Sequence, residues 1–438
     1  FFGIMSLLMV GRMVRAEEES GRLELIRSLP VGRHAPVTSA AIVVGSMAAT
    51  IGLVTTLGWI ALGLPATGSI SYGLGLALFT MVIAAIALVT NQVTENTRLA
   101  NGIAGAALGA SFLLRAVGDL NDGTLSWLSP MGWVTKAQPF ADERWWPMLV
   151  PLAAIVGLWR LAHVLGDHRD LGAGLIAPRP GRARASATLS GTIPLAVRLQ
   201  RGLVIGWSAG VAFLALAYGA ITATMEEFID DNPQMGDFLA MSGQADFTDA
   251  YLAAAVRITA LIASGFALQS ILRLHGEEVD GHAEDVLATA TSRWRYWGSH
   301  VVLAVGGSVV VLAVAALVMG VSAAVSVGDA SLTATTVEAM AAYLPATLVL
   351  IGLGAAAVGF LPRRATWAWA VLAVAFVVEM FGPLLDLPAW AMRISPFQSV
   401  PQLPADPFEL LPVVALTAAG AALIAASALR YRHRDLPA

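Results

Sequence analysis

Residues 298–326 read GSHVVLAVGGSVVVLAVAALVMGVSAAVS, an unbroken apolar run in which His300 is the one side chain that can carry a charge. An α-helix rises 1.5 Å per residue, so about 20 apolar residues cross a hydrocarbon core of about 30 Å. A strand of a membrane β-barrel needs only about 10 residues. The run therefore predicts a transmembrane α-helix, whose backbone N–H and C=O groups pair within the segment.

The composition of the whole chain agrees with this prediction. Hydrophobic residues make up 57% and charged residues 13% of the 438 residues, whereas soluble domains carry about 25% charged residues. The chain contains no cysteine, which excludes disulfides, thiolate metal sites and a thiol nucleophile. We predict an all-α integral membrane protein with spans at residues 1–14, 36–63, 71–93, 98–118, 146–166, 202–225, 250–272, 298–326, 335–360, 367–384 and 408–429.

Basic residues indicate the orientation of these spans, because they accumulate in cytoplasmic loops. Twenty arginines fall on one side of the predicted spans, and only Lys136, Arg144 and Arg393 fall on the other. The arginine-rich side includes the C-terminus, which is therefore predicted to be cytoplasmic. The acidic segment 225–249 is then external.

A stripe of acidic residues follows an apolar run twice, at positions 260 residues apart. Both copies fall on the predicted cytoplasmic side, and their register indicates that the chain consists of two related halves. The members of this stripe are Glu17, Glu18, Gly21, Glu24 and Arg33 in the first copy, and Glu277, Glu278, Gly281, Glu284 and Arg293 in the second.

Three further landmarks repeat in the same order along the chain. They are FLLR at 112–115 and FVVE at 376–379, LSP at 128–130 and ISP at 394–396, and HRDL at both 168–171 and 433–436. We therefore predict an N-terminal transmembrane half at residues 1–166, a basic cytoplasmic linker at 167–201 and a C-terminal half at 202–438. The linker is rich in Arg, Pro and Gly, which is typical of a segment lying on anionic headgroups.

The first half shows five predicted spans and the second shows six. The chain opens on Phe1-Phe2-Gly3 inside an apolar run, and the second half carries an extra span ahead of its stripe. We expect about 50 to 60 further residues and one span ahead of Phe1, by analogy between the repeats. The fold would then be two six-helix halves, spans 1–6 and 7–12, in a parallel pseudo-two-fold repeat, with its first helix missing from this chain.

The spacing within the stripe predicts a surface. Positions 17, 21, 24 and 28 fall on one face of a helix, which Pro30 would end near Leu29. Glycine in a helix lowers stability by about 1 kcal/mol relative to alanine. The two glycines of the stripe are therefore expected where another backbone approaches too closely for a side chain. One copy would suit a solvated turn, whereas two copies in register favour a docking surface for a partner.

Residues 15–33, RAEEESGRLELIRSLPVGR, resemble the coupling-helix segment after the second span of ABC exporter permeases of the type-2 class. Trp127 and Trp133, AQPF at 137–140 and HRDLG at 168–172 are similar to the fused double-length permeases of this class that export polyketide antibiotics, the tetronasin type. The resemblance covers essentially the whole chain.

This resemblance implies the membrane subunit of an ATP-driven pump that exports amphipathic drugs or antibiotics across a bacterial plasma membrane. Two copies of a P-loop nucleotide-binding subunit would hold ATP and Mg²⁺, and this chain would carry no cofactor and bind no nucleic acid. Each copy of the stripe would contact one ATPase subunit. In the second copy Asp285 replaces Leu25 and Ala290 replaces Pro30, which predicts two docking sites of unequal strength.

The sequence lacks the motifs that an ATPase or another enzyme needs. A phosphate-binding P-loop contains Gly-Lys-Ser/Thr, but the single lysine, Lys136, lies between Thr135 and Ala137. No H-E-x-x-H motif occurs, and the Gly-x-Ser-x-Gly string at 206–210 lies inside an apolar span rather than at a strand-to-helix turn. We therefore predict no catalytic residue and no metal site, which disfavours a membrane-bound transferase.

Arg115 and Glu379 occupy equivalent positions in the two halves, each toward the outer end of a span. An ionised side chain at the bilayer centre costs at least about 2.5 kcal/mol, so each needs a partner or access to water. Two alternatives are open. Either the two residues form a gate pair across a central path, or Arg115 pairs with Asp119 one turn on and Glu379 extends outward.

Soft apolar side chains suit a path for bulky amphipathic drugs. The alternative to an ATP-driven pump is a secondary drug/proton antiporter in which Glu379 carries the proton. The candidates for the substrate path are Met5, Phe112, Phe266 and Phe376.

Overall fold

All regular structure in the described part of the chain is helical, which confirms the predicted all-α membrane fold. Ten of these helices are long and apolar enough to cross a membrane. The computed structural model describes residues 1–119, 123–170, 172–176, 184–186, 188–230, 247–382 and 385–435. Most of the acidic segment 225–249, which was predicted to be external, and part of the predicted linker lie outside the described residues.

The chain divides into two compact units, Phe1–Arg182 and Ala183–Ala438. Their boundary falls within the predicted linker 167–201. The last ten residues of that linker differ from the prediction, because they form the start of a long helix that begins at Thr192. Pro194 is compatible with this start, since the N–H groups of a first helical turn have no acceptor within the helix.

The first unit is built around one buried helix, α4. This helix contacts α1, α3, α5 and α7, and is the most buried of the unit's long helices. Small residues allow close packing, since a Cβ added at Gly52 would lie 2.6 Å from the Gly73 carbonyl oxygen. The helices are α1 Phe2–Gly11, α2 Arg22–Arg27, α3 Ala35–Ala61, α4 Ala66–Val93, α5 Thr97–Asp119, α6 Pro130–Thr135 and α7 Leu149–Asp167.

The predicted span at residues 1–14 is helical. The helix α1 continues as a π-helical stretch, Arg12–Ala16, and a single α-helical turn, Glu17–Glu19. Arg15 and Glu18 are buried in this continuation and form an ion pair. The apolar run therefore leads directly into a buried polar contact.

The second unit repeats the order of the first. The helix α9, which precedes the second stripe as α1 precedes the first, is buried and contacts α8, α11, α13 and α14. The helix α13 packs against α15 as α4 packs against α7. The helices are α8 Thr192–Asp230, α9 Phe247–Val279, α10 His282–Leu287, α11 Arg293–Val327, α12 Ser331–Ala341, α13 Leu344–Phe360, α14 Ala368–Phe381 and α15 Leu410–His433.

The predicted span at 335–360 lies within one membrane-length segment, Ser331–Phe360, in which a turn at Ala342 and Tyr343 separates α12 from α13. Pro345 lies in the first turn of α13, and its missing N–H and fixed ring disfavour an uninterrupted helix through this point. The equivalent helix of the first unit, α4, is continuous over 28 residues.

Gly21 and Gly281 have positive φ angles of 73° and 79°. Each directly precedes a six-residue helix, α2 or α10, and a Cβ added at either position would meet nothing within 4 Å. No other backbone of the described chain approaches either glycine, and the approach of a partner's backbone stays a prediction. Glycine is needed because the chain turns through the left-handed conformation, which other residues adopt with strain.

We expect Gly281→Ala to lower the stability of the protein by about 1 kcal/mol, because it forces alanine into the left-handed region. The matched control is Gly306→Ala in α11, a helical position where an added Cβ also has nothing within 4 Å. There the substitution should leave stability unchanged or raise it by up to about 1 kcal/mol. Thermal melts of the two variants in detergent check the opposite signs, and equal effects would contradict the role assigned to Gly281.

Candidate functional site

The two short helices α2 and α10 are largely exposed and lie at equivalent positions in their units. Their buried side chains are Leu23 in α2 and Ala283 in α10. The predicted docking residues Glu24 and Glu284 are exposed, one on each helix. Each unit therefore presents a short helix whose outer face is free of contacts with the rest of that unit.

The outer faces of the two helices differ in chemistry. On α2, Leu25 and Ile26 are exposed beside Glu24. On α10 the position of Leu25 is held by Asp285, which is also exposed. The first face is thus mixed apolar and acidic, whereas the second is acidic.

Glu17 and Glu277 point toward the basic residue that follows each glycine. Arg22 donates to Glu17 over 2.8 Å, and at the equivalent position His282 Nδ1 lies 3.3 Å from Glu277. Glu277 has a second partner, Arg273, at 2.8 Å. The Glu277 side chain is therefore more enclosed than its counterpart: it is 11% exposed, whereas the Glu17 side chain is 33% exposed.

Glu18 and Glu278 lie inside their units, with side chains 1% and 0% exposed. The helical spacing predicted one continuous surface for the stripe, and this part of the prediction is wrong. Gly21 and Gly281 break the helix, so the positions before each glycine no longer share a face with those after it. The second glutamate of each copy contacts its own unit instead.

The partner of Glu18 is Arg169, from the repeated HRDL motif. The Arg169 guanidinium donates to both carboxylate oxygens of Glu18, over 2.7 and 3.0 Å. The Gly172 N–H donates over 2.8 Å and Arg15 over 2.9 Å. Burial favours the neutral acid, but these donors and the two guanidinium charges outweigh it and hold the pKa of Glu18 below its ordinary value of 4.5.

The partner of Glu278 is Arg434, from the second copy of the same motif. Arg434 Nη2 donates to the two carboxylate oxygens over 2.5 and 2.6 Å. The guanidinium also lies over the ring of Tyr431, 4.8 Å from its centroid. The sequence singled out both motifs as repeats, but no feature of the sequence indicated that they contact each other.

Arg33 and Arg293, the last members of each stripe copy, bind the same region of their units. Arg33 donates to the Gly166 carbonyl oxygen over 3.0 Å, at the end of α7. Arg293 donates to the carbonyl oxygen of Arg434, just after α15. Both copies of the stripe are thus joined to the end of the last long helix.

The two candidate gate residues have partners within their own units. Arg115 donates to Asp119 over 3.1 Å, the local pair that the spacing offered as an alternative. Glu379 is 7% exposed rather than extended outward. It accepts hydrogen bonds of 2.8 Å from Ser395 and from Gln398 and lies 3.5 Å from Arg257. A gate between Arg115 and Glu379 stays a prediction.

The candidate path residues fall into two groups. Met5, Phe112 and Phe376 are exposed within their units. Phe266 is fully buried in α9, in contact with the helix α11 at Gly307. In this structure Phe266 is a packing residue of the second unit.

We expect Glu18→Gln to destabilise the first unit at neutral pH, because it leaves two buried guanidinium groups without a carboxylate; removing one partner of a buried pair costs about 3–5 kcal/mol. The pKa of Glu18 is lower in the folded protein, so its stabilisation is fully present above pH 4.5 and lost as the pH falls through the folded value. Melting temperatures measured from neutral pH downward should therefore converge for wild type and variant below pH 4.5. A constant difference at all pH values would contradict this.

A family model matches more than half of this chain, and a known protein matches nearly its whole length. Residues 189–432 match the family described as multidrug efflux system permease Rv1217c, C-terminal domain. The chain is 37% identical over 432 residues to the multidrug efflux system permease protein Rv1217c of Mycobacterium tuberculosis, an alignment that covers 98% of this chain and 79% of that protein. A multi-pass helical fold with two related units fits a transport protein. The chain belongs to this family of multidrug efflux permeases.

Proposed function

We propose that this chain is the membrane subunit of an ATP-driven ABC exporter of the type-2 class, which works with two separate P-loop nucleotide-binding subunits. The observation that carries the proposal is the pair of exposed short helices α2 and α10, one in each unit. The sequence contains no P-loop, so ATP and Mg²⁺ would be bound by the partner chains. The resemblance to tetronasin-type permeases points to amphipathic polyketide antibiotics as cargo.

In this proposal α2 and α10 are coupling helices on the cytoplasmic side. The distribution of basic residues supports that orientation and a cytoplasmic C-terminus. The exposed carboxylates of Glu24 and Glu284 would meet basic residues of the ATPase subunits. Such rim charges act mainly on the rate of association and on partner choice.

The unequal outer faces predict unequal docking sites. Apolar burial contributes about 25 cal/mol per Å², and Leu25 and Ile26 offer apolar area that α10 lacks at the equivalent position of Asp285. The α2 site would therefore hold its ATPase subunit more tightly at high salt, where charge pairs are screened.

The energy source distinguishes this proposal from its alternative. We expect drug uptake into inverted membrane vesicles, the direction that corresponds to export from the cell, to require ATP and to continue in the presence of a protonophore. Drug-stimulated ATP hydrolysis should appear only when the chain is purified together with a nucleotide-binding protein. Efflux that collapses with a protonophore while ATP is maintained would contradict the proposal.

A second candidate function, drug/proton antiport, is favoured by one observation, the burial of Glu379 beside Arg257 within the spans. The same vesicle experiment tests it through Glu379→Gln. If the protein is an antiporter that uses this carboxylate, the Glu379→Gln variant should transport no drug, and a protonophore should then have no further effect.

The docking surface is tested by charge reversal. We expect the double variant Glu24→Lys and Glu284→Lys to lose copurification with the ATPase subunit and to lose drug efflux, because like charges would face each other across both interfaces. The control is Asp142→Lys with Glu409→Lys, which makes the same change of charge at exposed positions outside the stripe. Wild-type efflux in the stripe variant at normal abundance would refute the assigned surface.

A further inference from the structure

We infer that the buried contacts Glu18–Arg169 and Glu278–Arg434 are latches that make the short helix and the last long helix of each unit move as one body. The inference deepens the proposed function and rests on it in one respect, since it takes α2 and α10 as the surfaces that receive the movement of the motor. The four residues are positioning residues, because they act through these helices and not on the drug.

The first argument is that two distant motifs meet in both units. Glu18 and Arg169 are 151 residues apart, and Glu278 and Arg434 are 156 residues apart. The two copies have diverged on the outer face, where Leu25 corresponds to Asp285. The buried contact is present in both copies, although chance divergence of either partner would have removed it.

The second argument is that each short helix is held on both sides. Before α2, Glu18 binds Arg169, and after α2, Arg33 donates to the Gly166 carbonyl oxygen. Both contacts reach the end of α7. Between these contacts Leu23 is the one buried residue among those of α2 whose burial the structure describes, so the position of the helix depends mainly on its two ends.

The same arrangement brackets α10. Glu278 binds Arg434 ahead of this helix, and Arg293 donates to the Arg434 carbonyl oxygen after it. A displacement of α10 must therefore displace the end of α15 as well. Because α15 packs along α13 over much of its length, the movement reaches the helices inside the unit.

The third argument concerns strength. Breaking a buried ion pair without replacing it costs several kcal/mol, so a latch of this kind holds through small displacements and transmits them. The first latch contains two arginines, since Arg15 also donates to Glu18 and to the Ala173 carbonyl oxygen. In the second, Arg434 is the one guanidinium on Glu278 and Tyr431 lies against it; among the described residues, Arg434 Nε and Nη1 have no hydrogen-bond partner. The second latch can therefore be replaced without disturbing other charges.

The test replaces the second latch by a bond that can be opened. The sequence contains no cysteine, so Glu278→Cys with Arg434→Cys gives the only two thiols of the chain. A bifunctional methanethiosulfonate reagent bridges them, and a reducing agent cleaves the bridge. Ethidium efflux is measured in energised vesicles, and ethidium binding is measured on the same preparations.

We expect the unbridged variant to bind ethidium as wild type does but to export it about 10-fold more slowly, within the usual range of coupling between sites. Bridging should restore the rate, and reduction should lower it again. A reagent with a single reactive group should restore nothing. The control Asp435→Asn changes the exposed neighbour of Arg434 and should export at the wild-type rate.

Two results would overturn the inference. One is wild-type efflux from the unbridged variant, and the other is a loss of efflux that bridging does not reverse. If the double-cysteine variant does not reach the membrane, the exchanged pair Glu278→Arg with Arg434→Glu replaces it. That pair should export faster than Glu278→Arg alone, and equal rates would also refute the latch.

The outcome is separable from the proposed function. If efflux is driven by a proton gradient rather than by ATP, the ABC proposal fails. The reversible effect of the bridge on efflux would still establish that the contact transmits movement in the second unit.

Discussion

The need to pair charge away from water determines more of this structure than any other interaction. An ionised group in an apolar surrounding is strongly destabilising unless an opposite charge and hydrogen bonds accompany it. Among the described residues, each buried carboxylate and guanidinium has an opposite charge within 3.5 Å. Three of these pairs, Glu18–Arg169, Arg257–Glu379 and Glu278–Arg434, join segments that are distant in sequence, so they help to fix how the apolar helices meet. The apolar spans make up most of each unit, and the buried ion pairs determine how its segments are aligned with one another.

The sequence was sufficient to predict the helical membrane fold, because hydropathy depends on composition along one segment. It was insufficient for side chains whose burial depends on a residue far away in the sequence. Glu18 and Glu24 have the same side chain and lie six positions apart, yet one is buried against Arg169 and the other is exposed. The left-handed turn at Gly21 separates them, and no periodicity reports a single residue with positive φ. The turn at Tyr343 was missed for a related reason, because Pro345 can occur within a kinked span as well as between two helices.

Each unit combines two kinds of helix. Long helices with small-residue contacts form its body, as where a Cβ at Gly352 would lie 2.9 Å from the Gly420 carbonyl oxygen. Short helices with exposed outer faces form its rim. The buried ion pairs Glu18–Arg169 and Glu278–Arg434 lie between body and rim, where neither hydropathy nor surface charge alone would place a structural contact.

The turn between α12 and α13 distinguishes the two units. The first unit has one continuous helix, α4, at the position where the second has two shorter helices separated at Ala342 and Tyr343. The Tyr343 side chain is fully buried, so the turn is enclosed by protein and its backbone is shielded from lipid. Both residues keep right-handed helical angles, so the chain continues within one membrane-length segment. The two units therefore differ in the regularity of a buried helix as well as in the outer faces of their short helices.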